Sequence, residues 1–203
     1  MKTEKTATHL IKDQNHIKAN LDEIADLKRI DDLDNKVKVL KDDLIICTAQ
    51  EEHVKEISEL WANLATIQQL NAPSRYNFKL EDKDWQIFIR KKLAKKNNLL
   101  LAVHRENSSE VRGFLYLQTV AIPSSDLVLK GVIEDLYIKP QYRRQKIASM
   151  LLDVSLEWAK HEKVKKIDFI SVKEGSDLSK FYSGYVEKQK LRLKDVNLEL
   201  VEF

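Results

Sequence analysis

Between Ile133 and Leu152 the chain reads IEDLYIKPQYRRQKIASMLL, and this stretch joins an apolar run to a cluster of cationic and amide side chains. Leu136, Tyr137 and Ile138 have the character of a buried strand, and Pro140 marks a turn. Arg143, Arg144, Gln145 and Lys146 then lead into an amphipathic helix that begins near Ile147, Ala148 and Ser149. The start of a helix carries unpaired N–H groups and the positive end of its dipole, so a basic loop feeding one builds an anion site. By position alone the plainer account is a solvated basic loop capping a helix. The apolar strand before it, the proline and the helix after it favour an anion site.

Such a site needs a core to hold it. With 203 residues, 43% of them hydrophobic and 33% charged, the chain can bury one domain of ordinary size and carry an extension. A short strand over Leu44 to Thr48 enters a helix in which Val54, Ile57, Trp61, Leu64 and Ile67 share a face. Asn71 to Ser74 breaks it, and a second helix aligns Trp85, Ile89 and Leu93. Two β-rich runs, Asn98 to His104 and Val111 to Ile122, flank the polar turn at Glu106 to Ser109. A strand over Val132 to Ile138 leads into the basic loop. The helix beyond it buries Ile147, Leu151, Val154 and Trp158. Lys166 to Val172 is expected as a strand, Asp177 to Tyr182 as a short helix, and Glu187 to the C-terminus as a final pair of strands.

The segment around Pro140 resembles the acetyl-CoA-binding motif of the general N-acetyltransferase (GNAT) superfamily. That motif runs from a hydrophobic residue through a proline to Arg or Gln, then x-x-Gly-x-Gly/Ala. Ile138, Pro140, Arg143, Ile147 and Ala148 match it, with Lys146 standing where the first glycine is found. The element order over residues 44–203 is similar to that fold as well. The resemblance implies an α+β fold with a mixed, mostly antiparallel sheet flanked by helices, and an N-acetyltransferase using acetyl-CoA as co-substrate without a metal. Leu136, Tyr137 and Ile138 would pair with the pantetheine arm like an added strand. Arg143, Arg144, Gln145, Lys146, Ile147, Ala148 and Ser149 would cradle the pyrophosphate.

Two catalytic roles follow from the same resemblance. A primary amine with a pKa near ~10.4 is protonated at neutral pH and must lose a proton before it attacks a thioester. Glu134 stands where diamine-type acetyltransferases carry a proton-drawing Glu, with Asp135 beside it as the alternative, expected on the opposite face of the strand. Phe181-Tyr182 before Gly184-Tyr185 resembles the family's Phe-Tyr-x-x-x-Gly-Phe segment, shortened by two residues, whose tyrosine protonates the departing thiolate. The plainer accounts are an ion-paired surface acid for Glu134 and a core aromatic for Tyr182. The rival function is a catalytically degenerate protein of this fold that binds acyl-CoA or docks a partner through its N-terminal helix.

Residues 1–43 are expected as a helical extension, because residues 1–72 contain no proline or glycine and apolar residues recur from Leu10 to Leu44 at helical steps. The step from Leu27 to Ile30 to Leu33 slips from strict heptads. A coiled-coil arm that could form a homodimer stands level with the plainer reading, a helical hairpin folded on its own domain or a partly ordered tail. The net charge of +3 and the balanced charges of the extension give no argument for nucleic-acid binding. No apolar run is long enough to span a bilayer and the basic start lacks a signal-peptide core, so the expected location is cytoplasmic. The single cysteine, Cys47, fits a reducing compartment and reads as a strand thiol within LIIC. His9, His16, His53, His104 and His161 are scattered, with no spacing that suggests a metal site. The amine acceptor carries no signature.

Overall fold

The computed structural model describes residues 28–29, 38–41, 43–71, 81–95, 97–122, 128–171, 176–188 and 196–200. Eight strands form one sheet in which sheet order follows chain order. They are β1 (Lys28–Arg29), β2 (Lys38–Lys41), β3 (Leu44–Thr48), β4 (Asn98–Arg105), β5 (Val111–Ile122), β6 (Val128–Ile138), β7 (Lys166–Ser171) and β8 (Val196–Leu200). Pairing is antiparallel from β1 through β6 and parallel for β6–β7 and β7–β8. Four helices accompany the sheet: α1 (Val54–Asn71), α2 (Asp82–Leu93), α3 (Ile147–His161) and α4 (Asp177–Lys188). This is the mixed, mostly antiparallel α+β architecture expected.

Alternation along the strands divides the interior into two cores. Leu99, Leu101 and Val103 of β4 and Leu115 and Leu117 of β5 meet α3 and α4 through Ile147, Leu151, Trp158 and Tyr182. The opposite face, with Leu100, Ala102, Phe114 and Tyr116, meets α1 and α2 through Ile57, Trp61, Trp85 and Ile89. Trp61 packs at a tilt against Phe114 and Tyr116 at centroid distances of 4.7 and 5.6 Å. All three tryptophans are therefore core residues, as their helical spacing predicts. Burying each large side chain fully is worth about 1.5–3 kcal/mol, which makes the helix–sheet contacts the main source of rigidity under the site.

The sheet extends further toward the N-terminus than helical spacing predicts. The helical expectation for residues 1–43 is corrected at 28–29 and 38–41, where the chain is strand. Lys41 opposes Leu44 across a hairpin, and Asp43, just before β3, is left-handed at φ 64. Aspartate tolerates that conformation, and the ladder against β3 outweighs a helical spacing that tertiary pairing is free to override. Residues 1–27, on which the coiled-coil reading also rests, lie outside the described residues. At the other end, α4 continues to Lys188 where a strand is expected to begin at Glu187, and one strand, Val196–Leu200, is described beyond it. Gly184 is no break, because it sits at an open position of the helix where an added Cβ would meet nothing within 4 Å.

Candidate active site

Glu134 and Asp135 owe their placement to a slip in the ladder between β5 and β6. Tyr116 opposes Asp135 and Leu117 opposes Ile133, leaving Glu134 as an extra residue on β6. A bulge of this kind lets two consecutive residues share one face. Ile133, Leu136 and Ile138 accordingly pack toward α3 and α4, while Tyr137 packs toward α1 and α2. Both carboxyls turn to the second side. Glu134 meets Lys92 of α2 at 3.3 Å, and Gln68 of α1 donates to Asp135 Oδ1 at 3.3 Å. The expectation that Asp135 lies across the strand from Glu134 is therefore corrected, since simple alternation does not survive a bulge.

Burial, reinforced by the Glu134 charge, pushes the Asp135 carboxyl up to about 6, while hydrogen bonds from Gln68 and Trp61 and the charge of Lys92 hold it from rising further. Lys92 also lies over the Tyr116 ring at 4.2 Å and the Phe88 ring at 5.1 Å. Asn98 donates to the Tyr116 hydroxyl at 2.7 Å, and burial with the two acidic neighbours pushes that phenol up. The result is a partly desolvated acidic pocket with one lysine already seated in it. Sequence reading favours Glu134 over Asp135 and misses Lys92, Gln68 and Tyr116, which only the bulge and the helix packing bring together.

Beyond this pocket the sheet parts. Parallel pairing of β6 with β7 ends at Ile133 and Phe169, and β7 continues against β8 alone. From Asp135 to Ile138, β6 keeps its β5 partner and has no strand on its other edge among the described residues. The edge carrying Leu136, Tyr137 and Ile138 is thus open to an extended chain that offers its own amides. The far end of β6 is clamped at Gly113, where an added Cβ would stand 2.6 Å from the Tyr137 carbonyl oxygen.

The basic loop follows directly. Lys139 bonds Glu110 at 2.9 Å, the Tyr142 hydroxyl donates to the same carboxylate at 2.7 Å, and Arg112 stacks over the Tyr142 ring at 4.4 Å. These contacts fix the 3₁₀ turn at Pro140–Tyr142. Arg143 Nε donates to the Ile138 carbonyl at 3.0 Å, tying the loop to the open strand. Arg144 and Lys146 are both left-handed, at φ 63 and 61, and Lys146 is the N-cap of α3 with no side-chain cap. The first helical bond runs from Met150 to the Lys146 carbonyl, so Ile147, Ala148 and Ser149 present N–H groups that no capping side chain covers. Arg143, Arg144, Gln145 and Lys146 line the surface, Ile147 is buried, and Ala148 and Ser149 are half-buried. The Lys146 side chain therefore does not plug the turn. Its backbone takes the conformation that a glycine would adopt without strain.

Tyr182 lies on the other side of the sheet, fully buried on α4 with Phe169 at 4.9 Å between ring centroids. Burial, and after it the Asp135 charge, pushes its phenol well above the ordinary tyrosine range. Its hydroxyl has no hydrogen-bond partner among the described residues. A buried O–H in that condition is a donor waiting for an acceptor, and losing its proton fully is harder than for an ordinary phenol.

Solved structures share the fold. A ribosomal-protein-alanine N-acetyltransferase from Brucella melitensis biovar Abortus 2308 aligns over 79% of this chain and 99% of its own, at 18% identity and a TM-score of 0.56. A glucosamine-6-phosphate N-acetyltransferase from Arabidopsis thaliana covers 79% and 97%, at 12% identity and a TM-score of 0.57. A transcriptional regulator from Bacillus halodurans C-125 covers 79% and 99%, at 20% identity and a TM-score of 0.58. No curated protein matches. Residues 61–183, more than half of the sequence and the part that builds the acidic pocket, the parted strands and the uncapped helix, match the Acetyltransferase (GNAT) family, and the chain belongs to that family.

Proposed function

We propose that this protein transfers an acetyl group from acetyl-CoA to a primary amine by direct attack. The observation that carries the reading is the parting of β6 from β7 a few residues before the uncapped start of α3, which offers an unpaired strand edge and a helix end suited to an anion, joined by one short loop. The open edge at Leu136 to Ile138 suits the amides of a pantetheine arm. The N–H groups of Ile147, Ala148 and Ser149, with Arg143, Arg144, Gln145 and Lys146 around them, suit a pyrophosphate. Two of the structural neighbours are named as N-acetyltransferases, in keeping with an amine acceptor.

In this reading the amine gives its proton to the paired carboxyls of Glu134 and Asp135. Asp135 is the better tuned of the two, because a carboxyl near 6 holds a proton more readily than an ordinary aspartate yet is ionised at neutral pH. The freed amine attacks the thioester carbonyl, and a backbone N–H of β6 steadies the oxyanion. As the adduct collapses the carbon–sulfur bond breaks, the Tyr182 hydroxyl hydrogen-bonds the departing sulfur, and the second proton lost by the amine nitrogen ends on that sulfur as CoA leaves as the thiol. The burial that raises the phenol makes full proton donation costlier than the ~2 kcal/mol separating an ordinary phenol from a thiol, so its part is closer to a hydrogen bond than to a completed transfer.

The second reading, binding of acyl-CoA without turnover, draws on Lys146, whose left-handed backbone costs ~1–3 kcal/mol. A lysine–phosphate contact of ~1.5–3 kcal/mol offsets that strain once ligand is bound. Calorimetric titration with acetyl-CoA, followed by a screen of amine acceptors, decides between the two. Binding with turnover supports the enzyme, binding without turnover on any acceptor supports the second reading, and no binding at millimolar ligand overturns both.

A further inference from the structure

We propose that Cys47, His53 and His104 form a binding site for a borderline-soft divalent cation of the zinc type, on the α1 side of the sheet and independent of the acetyl-transfer groove. The ladder between β3 and β4 pairs Cys47 with Ala102 and Ile45 with His104, so Cys47 and His104 sit diagonally on one face. The 3₁₀ turn Glu51–His53 then folds the chain back and lays His53 over the same spot. One ligand atom from each residue falls within 4.8 Å of the others. Cys47 Sγ lies 3.8 Å from His104 Nε2 and 4.0 Å from His53 Nε2. Tetrahedral coordination with metal–sulfur and metal–nitrogen bonds of about 2.3 and 2.0–2.1 Å sets sulfur and nitrogen about 3.6 Å apart. The two sulfur–nitrogen separations therefore need only a few tenths of an ångström of closure, and the two imidazole nitrogens, within 4.8 Å of each other, close toward the roughly 3.4 Å that the same geometry sets.

Hydrogen bonds around the rings orient the donors. His104 Nδ1 lies 3.1 Å from the Arg105 carbonyl and donates to it, which leaves the Nε2 lone pair turned toward the sulfur. An outer contact of this kind fixes the tautomer a metal requires. His53 starts from the other tautomer, because its Nδ1 accepts the Gln50 N–H at 2.9 Å and its Nε2 carries the proton. Cys47 and His104 are thus the preformed pair. His53 joins them by moving its ring proton to Nδ1 as the Gln50 N–H turns away. Glu52 and Glu56 add negative charge close to His53, which favours a cation. Loading forms a sulfur–metal bond and releases the thiol proton to solvent, about one proton per metal, with no change of oxidation state. Three protein donors leave the fourth coordination position to water. Sequence spacing hides the site because Cys47 and His104 are 57 positions apart and meet only across the sheet.

The test uses the full chain, stripped of metal by a chelator and titrated with Co²⁺ alone. The expected result is one equivalent bound with a sulfur-to-cobalt charge-transfer band, displacement of that band by Zn²⁺, release of about one proton per metal and a raised melting temperature. Cys47→Ser abolishes the band. His104→Gln, at a half-exposed position, weakens binding by about 10-fold or more while the circular dichroism of the metal-free protein stays unchanged. Absence of the band in the wild-type chain overturns the proposal. So does unchanged Co²⁺ affinity in His104→Gln, which decides the matter even if Cys47→Ser fails to fold.

Discussion

Asp135→Asn separates what the acidic pocket does for catalysis from what it does for the fold. The carboxyl rises from an ordinary value of 3.8 to about 6 on folding, chiefly through burial. The native chain therefore binds this proton more tightly than the unfolded chain does. The stability linked to it is complete below the unfolded value and is lost as pH rises through the folded one. A shift of about two units corresponds to roughly 3 kcal/mol at 1.36 kcal/mol per unit. Asp135 is only half-buried and shares its field with Glu134, so about 1–2 kcal/mol is the working expectation after screening. The asparagine keeps the Oδ1 that accepts from Gln68 and removes the charge. At pH 7 the variant should be more stable than wild type by that amount, a gain of about 2–8 °C in melting temperature for a domain of this size. By pH 3.5 the two curves should converge. Turnover should move the other way, falling about 10²- to 10⁴-fold with the loss of a general base, and the wild-type rate should fall as pH drops through about 6. Melting curves from pH 3.5 to 8 and kcat/KM on any accepted amine are the assays. A variant less stable at pH 7, or a stability difference independent of pH, refutes the account of Asp135.

Four further outcomes are expected. Tyr182→Phe removes a buried hydroxyl that has no partner among the described residues and should leave the fold as stable or up to about 1–3 kcal/mol more so, while turnover drops and acetyl-CoA affinity holds; unchanged turnover removes Tyr182 from the mechanism. Lys146→Gly relieves a left-handed backbone and should stabilise the free protein by about 1 kcal/mol in denaturant melts, yet calorimetry should show weaker acetyl-CoA binding if the ammonium meets phosphate. Gly113→Ala forces a methyl group against the Tyr137 carbonyl and should cost about 1–3 kcal/mol by the same melts. Glu110→Gln cuts the charge that holds Lys139 and Tyr142, and should weaken acetyl-CoA binding severalfold with little change in melting temperature.

The basic loop and its flanking elements are legible in the sequence because they are local. Ile138, Pro140 and Arg143 announce a strand, a turn and an anion site within a few residues, and the apolar spacing of Ile147, Leu151 and Trp158 fixes which face of the helix is buried. What stays hidden depends on register. The bulge at Glu134 has no sequence marker, yet it decides that Asp135 shares a pocket with Glu134 and Lys92. Tyr182 is visible as an aromatic beside Phe181, but its seat in the core follows from a helix that continues to Lys188. The strand at Lys38–Lys41 reads as helix because its apolar spacing fits both periods, and the deciding partner, β3, lies across a turn.

Because sheet neighbours are also chain neighbours, β4, β5 and β6 can zip together as a meander through local contacts, whereas β7 and β8 are each reached through an intervening helix. The parting between β6 and β7 lies on the seam between these early and late portions. The C-terminal third is then expected to be the first cooperative unit to detach in the native protein, and a ligand lodged in the seam should fasten it. Slower proteolysis and slower amide exchange in β7 and α4, with the meander unaffected, are the signature by which saturation with acetyl-CoA would register far from the acetyl group itself.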